Sequence, residues 1–117
     1  MHALSTRTKP SKESQPRTVR FGTDTFADVL DALGSDTARS ILRSVQAQPL
    51  TASEIADRVD TSIQNASYHL RTLTDVGLVR VVDTVYSEKG CEMNLYYAVD
   101  TALLLETTPT EEYTDDR

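Results

Sequence analysis

The sequence predicts a mainly α-helical domain that ends in a β-hairpin. Apolar residues recur at three- and four-residue spacing from residue 26 to residue 73, which is the period of helices with one buried face. Capping residues and helix breakers divide this region into about four short helices. After Gly77 the period changes, because β-branched residues dominate residues 78–86 and a second strand-like segment follows a turn.

The first two predicted helices are short and amphipathic. The first begins at Thr23 or Asp24 and is stopped by Gly34, and Ser35 is the N-cap of the second. Residues 46–49 interrupt the second helix, because the residue before a proline disfavours helix. The apolar residues that share a face in these helices are Phe26, Val29, Leu30, Leu33, Ala38, Ile41, Leu42 and Val45.

A capping box and a second N-cap predict the third and fourth helices. Thr51 and Glu54 have the spacing at which each side chain satisfies the other's backbone N–H. The third helix is expected over residues 52–59, followed by a turn at residues 60–61. Ser62 caps the fourth helix, which Gly77 ends as a left-handed residue. The buried residues expected here are Ile55, Ala56, Val59, Ala66, Leu70 and Leu73.

The rest of the chain is predicted as a hairpin, a short helix and two tails. The hairpin strands are residues 78–86 and 92–99, and Asp100 is a candidate cap for a short C-terminal helix over residues 102–105. The polar composition of residues 1–20 and 107–117 predicts a disordered basic tail and a disordered acidic tail around a domain at 21–106. The basic tail has two interpretations, a nucleic-acid-binding arm or a solvated segment.

The charge is negative overall and unevenly distributed. The formal net charge of −6 weighs against a nucleic-acid partner, because DNA affinity comes largely from Lys and Arg. Residues 1–20 nevertheless have a net charge of +4 and residues 21–117 one of −10. Lys is rare, while Arg, Asp and Thr are common. This composition resembles that of proteins from a halophilic archaeon, whose acidic surfaces maintain hydration and say less about binding partners.

The order of the elements predicts a winged helix-turn-helix. Two helices joined by a tight turn and followed by a β-hairpin make this motif. The helix ending at Val59 would brace the one at residues 62–77, which could then lie in the major groove of double-stranded DNA. The hairpin at residues 79–99 would be the wing that contacts the flanking backbone.

Two segments resemble the ArsR-like regulators. Residues 50–59, LTASEIADRV, are similar to the family's helix before the recognition helix. Residues 67–79, SYHLRTLTDVGLV, resemble the family signature Ser-x-His-Leu, two residues, Leu, three residues, Gly-Leu-Val. The resemblance implies a DNA-binding transcriptional regulator that forms a homodimer through its first and last helices.

The candidate DNA-contacting residues are polar positions on the fourth helix and two bases of the hairpin. Gln and Asn can bond adenine bidentately, and Arg can bond guanine or a phosphate. His69 belongs to the signature and is expected to have a structural or phosphate-contacting role. The alternative for each residue is a solvated polar surface. The candidates are Ser62, Gln64, Asn65, Ser67, Tyr68, His69, Arg71, Arg80 and Lys89.

Other chemistries find little support in the sequence. Members of the ArsR-like family that sense metals bind them through Cys or His in segments corresponding to residues 52–59 and 100–106. Both segments lack Cys and His here, so no metal or cofactor is expected. Cys91 is either a redox-sensitive thiol or a small apolar residue. His2 and His69 are the two histidines and no Gly-rich phosphate loop is present, so an enzyme is not expected.

The sequence also predicts where the protein is located and leaves a second candidate function open. Apolar runs are too short to span a membrane and no apolar stretch follows the first basic residues, so a cytoplasmic location is expected. The alternative function is a winged-helix module that docks on transcription machinery without contacting DNA. The absence of acids from residue 62 to residue 74 favours DNA.

Overall fold

Four helices and an antiparallel hairpin follow one another in the predicted order, which confirms the predicted fold class. The computed structural model describes residues 16–108. The elements are β1 (Arg17–Arg20), α1 (Asp24–Ala32), α2 (Asp36–Ala47), α3 (Ala52–Val59), α4 (Ile63–Asp75), β2 (Val79–Tyr86), β3 (Glu92–Ala98) and β4 (Thr101–Leu104). Of the tails predicted over residues 1–20 and 107–117, residues 1–15 and 109–117 lie outside the described residues.

Side-chain caps define where each helix begins. Thr23, Ser35, Thr51 and Ser62 each accept a hydrogen bond from the backbone N–H three residues later, at 3.0–3.2 Å. The Glu54 carboxylate also accepts from the Thr51 N–H at 2.9 Å, which completes the predicted capping box. These bonds satisfy N–H groups that have no partner inside the helix. Ser35, Thr51 and Ser62 are therefore confirmed as N-caps, and Thr23 is the one of the two predicted starting residues that caps α1.

Replacing Thr51 with alanine is expected to lower the free energy of unfolding by about 1 kcal/mol, because the Glu54 N–H loses its acceptor. Thr51 is 3% exposed, so water cannot easily replace the lost oxygen. Urea unfolding followed by circular dichroism measures the change. Thr51→Ser keeps the hydroxyl and is the control. An equal loss in both variants would show that the Thr51 methyl group, rather than the cap, stabilises α3.

One core joins α1–α4 to the base of the hairpin. Its buried side chains are Val29, Ala32, Ile41, Val45, Leu50, Ile55, Ala56, Ala66, Leu70, Leu73, Leu78 and Val79. All of these except Ala32, Leu50, Leu78 and Val79 were predicted from helical spacing. Leu30 is an exception. It was expected on the buried face of α1 but is 51% exposed, since α1 buries only Phe26, Val29 and Ala32.

The hairpin is attached to the helices by a short backbone bridge. β2 and β3 pair antiparallel, with an irregularity in register between Val81 and Asp83. Leu50, between α2 and α3, exchanges two backbone hydrogen bonds with Tyr96, at 3.0 and 2.8 Å. The base of the wing is therefore tied to the segment that precedes the helix-turn-helix.

The predicted C-terminal helix is wrong, and so is the predicted tail over residues 17–20. Both segments are strands, because β1 pairs in parallel with β4. The Arg17 N–H donates to the Asp100 carbonyl at 2.9 Å, and the Phe21 N–H donates to the Leu104 carbonyl at 2.8 Å. Ala and Leu favour helices, but pairing with a distant strand overrides this weak local preference. The resemblance implied dimerisation through a last helix, and the structure has a strand there.

Candidate nucleic-acid interface

A tight turn sets α4 against α3. Asp60 ends α3 in the left-handed conformation, with φ 60° and ψ 54°. The Thr61 N–H then donates to the Ala56 carbonyl at 3.0 Å, and Ser62 begins α4. Asp is one of the few residues besides glycine that adopts this conformation readily. The turn leaves one side of α4 packed on the core and the opposite side at the surface.

The exposed side of α4 is centred on Gln64, Tyr68 and Arg71. These residues are spaced by one helical turn, so they lie along one stripe of the helix. All three are exposed, and the Tyr68 side chain is 65% accessible. Arg71 makes no hydrogen bond or ion pair with any residue from 16 to 108. The stripe therefore presents an amide, a phenol and an uncompensated guanidinium to a ligand.

Several residues beside this stripe already make hydrogen bonds or ring contacts within the chain. The Ser62 hydroxyl accepts from the Asn65 N–H at 3.0 Å, and Asn65 Nδ2 donates to Thr61 Oγ1 at 2.9 Å. His69 is half-buried, and its ring contacts the Tyr68 ring edge-on with centroids 5.1 Å apart. Ser67 is exposed on the other flank. The structure thus places Ser62 at the N-cap and Asn65 in the first turn of α4, with His69 beside Tyr68.

The two predicted basic residues of the wing lie far apart. Arg80 is exposed near the start of β2, next to the C-terminal end of α4. Lys89 is exposed in the turn after β2, where Ser87 Oγ accepts from the Lys89 N–H at 3.2 Å. Six residues of extended chain from Arg80 to Tyr86 span about 20 Å. These bases therefore border two different regions of the surface.

The C-terminal end of α4 is fixed by a long-range contact that no sequence pattern indicates. Arg17 Nη2 donates to the Val76 carbonyl at 3.1 Å across 59 positions of sequence. The guanidinium lies against Gly77, whose φ is 83° and where an added Cβ would come within 2.3 Å of Arg17 Nη1. A cation at a helix C-terminus interacts favourably with the unpaired carbonyls. The Gly77 stop was visible in the sequence, but its distant basic partner was not.

The exposed stripe of α4 has no acidic residue beside it in the helix until the last turn, as the sequence indicated. Within α4 the one acid is Asp75, in its last turn, and the helix N-terminus has none.

None of the described helices is long and apolar enough to cross a membrane. Within residues 16–108, no three or more His, Cys, Asp or Glu side chains lie together in a group that could hold a metal ion. Cys91 is exposed.

Comparisons with known proteins agree with this geometry. Residues 33–82 match the model of a protein family described as "Helix-turn-helix domain". This segment contains α2, α3, α4 and the first half of β2. No curated protein sequence matches the chain significantly.

Solved winged-helix structures share the fold. An ArsR-like transcriptional regulator from Rhodococcus sp. RHA1 is 29% identical, with TM-score 0.51, over 64% of this chain and 65% of that one. Reduced HlyU from Vibrio cholerae is 23% identical, with TM-score 0.51, over 64% and 73%. The homodimeric winged helix-turn-helix DNA-binding domain of a possible ArsR-family regulator from Mycobacterium bovis is 23% identical, with TM-score 0.52, over 64% and 64%.

The fold and the matched segment define a winged helix-turn-helix domain. The matches span just under two thirds of the Rhodococcus and Mycobacterium chains. Among the described elements, α3 and α4 correspond to the two helices of the motif and β2 and β3 to the wing.

Proposed function

We propose that the chain is a sequence-specific DNA-binding transcriptional regulator. In this proposal residues 62–77, which contain α4, form the recognition helix in the major groove. The wing at residues 79–99 lies on the flanking backbone. The observation that carries the proposal is the exposed stripe of Gln64, Tyr68 and Arg71, whose guanidinium has no partner among the described residues. Major grooves are wide enough to admit a helix with such side chains.

The residues of the stripe have the chemistry that base edges require. Arg71 can bond bidentately to guanine or hold a phosphate, and Gln64 can bond bidentately to adenine. Tyr68 can pack on a thymine methyl or bond a phosphate, with His69 supporting its ring from behind. The chain has a net charge of −6, yet no acid occurs from residue 62 to residue 74, so the stripe carries no negative charge that would repel phosphates.

The remaining candidates are assigned to the DNA backbone. The Ser62 oxygen accepts from Asn65, but its O–H remains free to donate to a phosphate at the helix N-terminus. Asn65 Nδ2 donates one N–H to Thr61 Oγ1 and keeps the other for a phosphate, and Ser67 keeps its hydroxyl. Arg80 and Lys89 would contact phosphates at the base and at the tip of the wing.

A homodimer on double-stranded DNA completes the proposal. The Mycobacterium bovis domain of the same fold is described as homodimeric. Two copies related by a two-fold axis would present two α4 helices to half-sites about one helical turn apart. The stripe and the wing of each copy would then contact one half-site.

Replacing Arg71 with alanine is expected to weaken binding to the selected DNA site by about 1–3 kcal/mol, if the guanidinium bonds a base. This corresponds to a roughly 5- to 150-fold higher Kd. Binding sites are first selected from random and genomic duplexes, and the affinity is then measured by fluorescence anisotropy over a KCl series up to molar concentrations. A loss that is uniform across sequences, with a shallower salt slope, would place Arg71 on a phosphate instead.

Arg43→Ala is the matched control for this experiment. Arg43 is exposed on α2, outside the proposed interface, and its removal changes the net charge equally. Equal effects of the two substitutions would contradict the proposed role of α4. A folded protein that binds no duplex at any salt concentration would favour the alternative, a winged helix that docks on another protein.

A further inference from the structure

β4 is an open sheet edge. The sheet that contains it has two strands, in the order β1–β4, and β4 has no other strand neighbour within residues 16–108. Because the Arg17 and Phe21 N–H groups donate to the carbonyls of Asp100 and Leu104, the even-numbered residues of β4 face β1. Thr101, Leu103 and Leu105 therefore direct their backbone N–H and C=O groups away from β1, on the side where no described strand pairs.

The other edge of the same sheet is closed to a further strand. The outward-facing Arg20 carbonyl accepts from Thr23 Oγ1 at 2.8 Å and from the Thr23 N–H at 3.4 Å. β1 also carries Arg17 and Arg20, and charged side chains are a common protection of edge strands. β4 has neither feature, since residues 101–105 are Thr, Ala and three Leu. An unprotected apolar edge of this kind is a template for pairing with another chain.

Exposed apolar side chains accompany this edge. Leu103 is paired with Val19, so both side chains lie on the same face of the sheet. Val19 is 4% exposed there, whereas Leu103 is 41% and Leu105 58% exposed. The β4 side of this face is therefore more accessible than the β1 side. Phe21, whose ring meets that of Phe26 on α1 at 5.5 Å, extends the apolar surface and is itself 56% exposed.

We infer that β4 is the surface through which two copies of this chain associate. The two β4 strands pair antiparallel about a two-fold axis at Leu104, giving a four-stranded sheet with β4 at its centre. This goes beyond the proposed function, which requires a dimer but names no interface. A two-fold axis places the same strand on both sides and reverses its direction, so antiparallel self-pairing is the symmetric solution.

Charge and hydrophobicity select the register. With the axis at Leu104, Leu103 lies opposite Leu105 of the partner subunit and Leu104 lies opposite its own counterpart. Shifting the axis to Leu103 would place Asp100 opposite Glu106 of the partner subunit, and like charges directly opposite one another are destabilising. The Leu104 axis keeps these acids apart and covers the exposed leucines.

A second copy fits this edge better than the chain's own ends do. Residues 1–15 contain Met1, Ala3 and Leu4 as their apolar residues, and residues 109–117 contain Tyr113 alone among five charged side chains. Neither segment has an alternation of apolar residues that could cover Leu103 and Leu105. β4 itself supplies that complement.

Leu103→Lys tests the surface in the full chain without DNA, so the result does not depend on the proposed function. Sedimentation equilibrium should show a dimer for the unsubstituted chain and at least roughly tenfold weaker association for Leu103→Lys, because each dimer would bury two lysines. Val81→Lys, at a residue 43% exposed on β2, is the matched control and should leave association unchanged. A monomer at all concentrations, or equal effects of both substitutions, would overturn the proposal.

Cysteine cross-linking tests the register and remains informative if Leu103→Lys fails to fold. In a Cys91→Ser background, Leu104→Cys should form a disulfide-linked dimer, because facing residues of a non-hydrogen-bonded antiparallel pair have Cα atoms about 4.5 Å apart. Ala102→Cys, on the same face, would lie about 13 Å along the strand from its counterpart and should not cross-link. Cross-linking of Ala102→Cys equal to that of Leu104→Cys would overturn the pairing.

Discussion

Replacing Leu73 with alanine is expected to lower the free energy of unfolding by about 3 kcal/mol. Leu73 lies on the inner side of α4, is fully buried and belongs to the core shared by the helices and the base of the wing. Its truncation removes apolar contacts and leaves a cavity that the surrounding helices fill only in part. A loss of this size is a large fraction of the stability of a small domain. Urea unfolding followed by circular dichroism measures it.

Leu30→Ala is the control for this prediction. Leu30 also belongs to an apolar stripe at helical spacing, yet it is 51% exposed. Its truncation should cost less than about 1 kcal/mol, because less apolar area returns to water on unfolding. Similar losses of unfolding free energy in the two variants would mean that Leu30 is buried in solution. The association state of the protein would then be measured at the concentration of the unfolding experiment.

Gly77→Ala is expected to lower the free energy of unfolding by about 2 kcal/mol. A φ of 83° costs an alanine about 1–2 kcal/mol relative to glycine. The new methyl group would also displace the Arg17 guanidinium, whose hydrogen bond to the Val76 carbonyl would be lost. Thermal unfolding should show a lower Tm, by several degrees for each kcal/mol in a domain of this size.

Two further variants separate the backbone strain at Gly77 from the loss of the Arg17 hydrogen bond. Gly90 has a φ of 84° but nothing within 4 Å of the position of a Cβ, so Gly90→Ala measures the backbone strain by itself. In an Arg17→Ala background the guanidinium is absent, and the cost of Gly77→Ala should fall to that of Gly90→Ala. An unchanged cost in that background would show that Arg17 does not contribute to the effect.

Substitutions on the outer face of α4 are expected to change DNA affinity, whereas substitutions on its inner face are expected to change the free energy of unfolding. Leu73→Ala and Arg71→Ala affect opposite sides of one helix, so they should separate folding from DNA affinity. Arg71→Ala is expected to leave the unfolding midpoint nearly unchanged, since its side chain has no described partner. This separation would not be expected of a helix whose polar face serves only solvation.

The candidate site shows how far helical periodicity can specify a surface. Ala66, Leu70 and Leu73 were expected inside and are buried, so the opposite stripe of Gln64, Tyr68 and Arg71 could be located without a structure. The spacing could not show that Asn65 bonds back to Thr61 or that His69 is half-buried beside Tyr68. These contacts depend on side-chain rotamers and on the turn that Asp60 makes, and the sequence pattern specifies neither.

Local interactions were sufficient to define the four helices and the wing. The N-caps, the capping box, the glycine after α4 and the change of period at residue 78 all act over a few residues of sequence, where side-chain chemistry restricts the backbone directly. The order of these elements then indicated the winged helix-turn-helix, because a tight turn between two helices and a following hairpin allow few other arrangements.

Only the tertiary structure decided the contacts between distant parts of the chain. The segment Thr101–Leu104 has residues that favour a helix, yet it is a strand because β1 offers backbone partners more than 80 residues earlier. The contact of Arg17 with the end of α4 and the bridge from Leu50 to Tyr96 have the same origin. Leu30 is exposed because the packing of α1 leaves it at the edge of the core. Local patterns determine an element when its hydrogen bonds are local, whereas a strand or a surface is determined by what lies beside it.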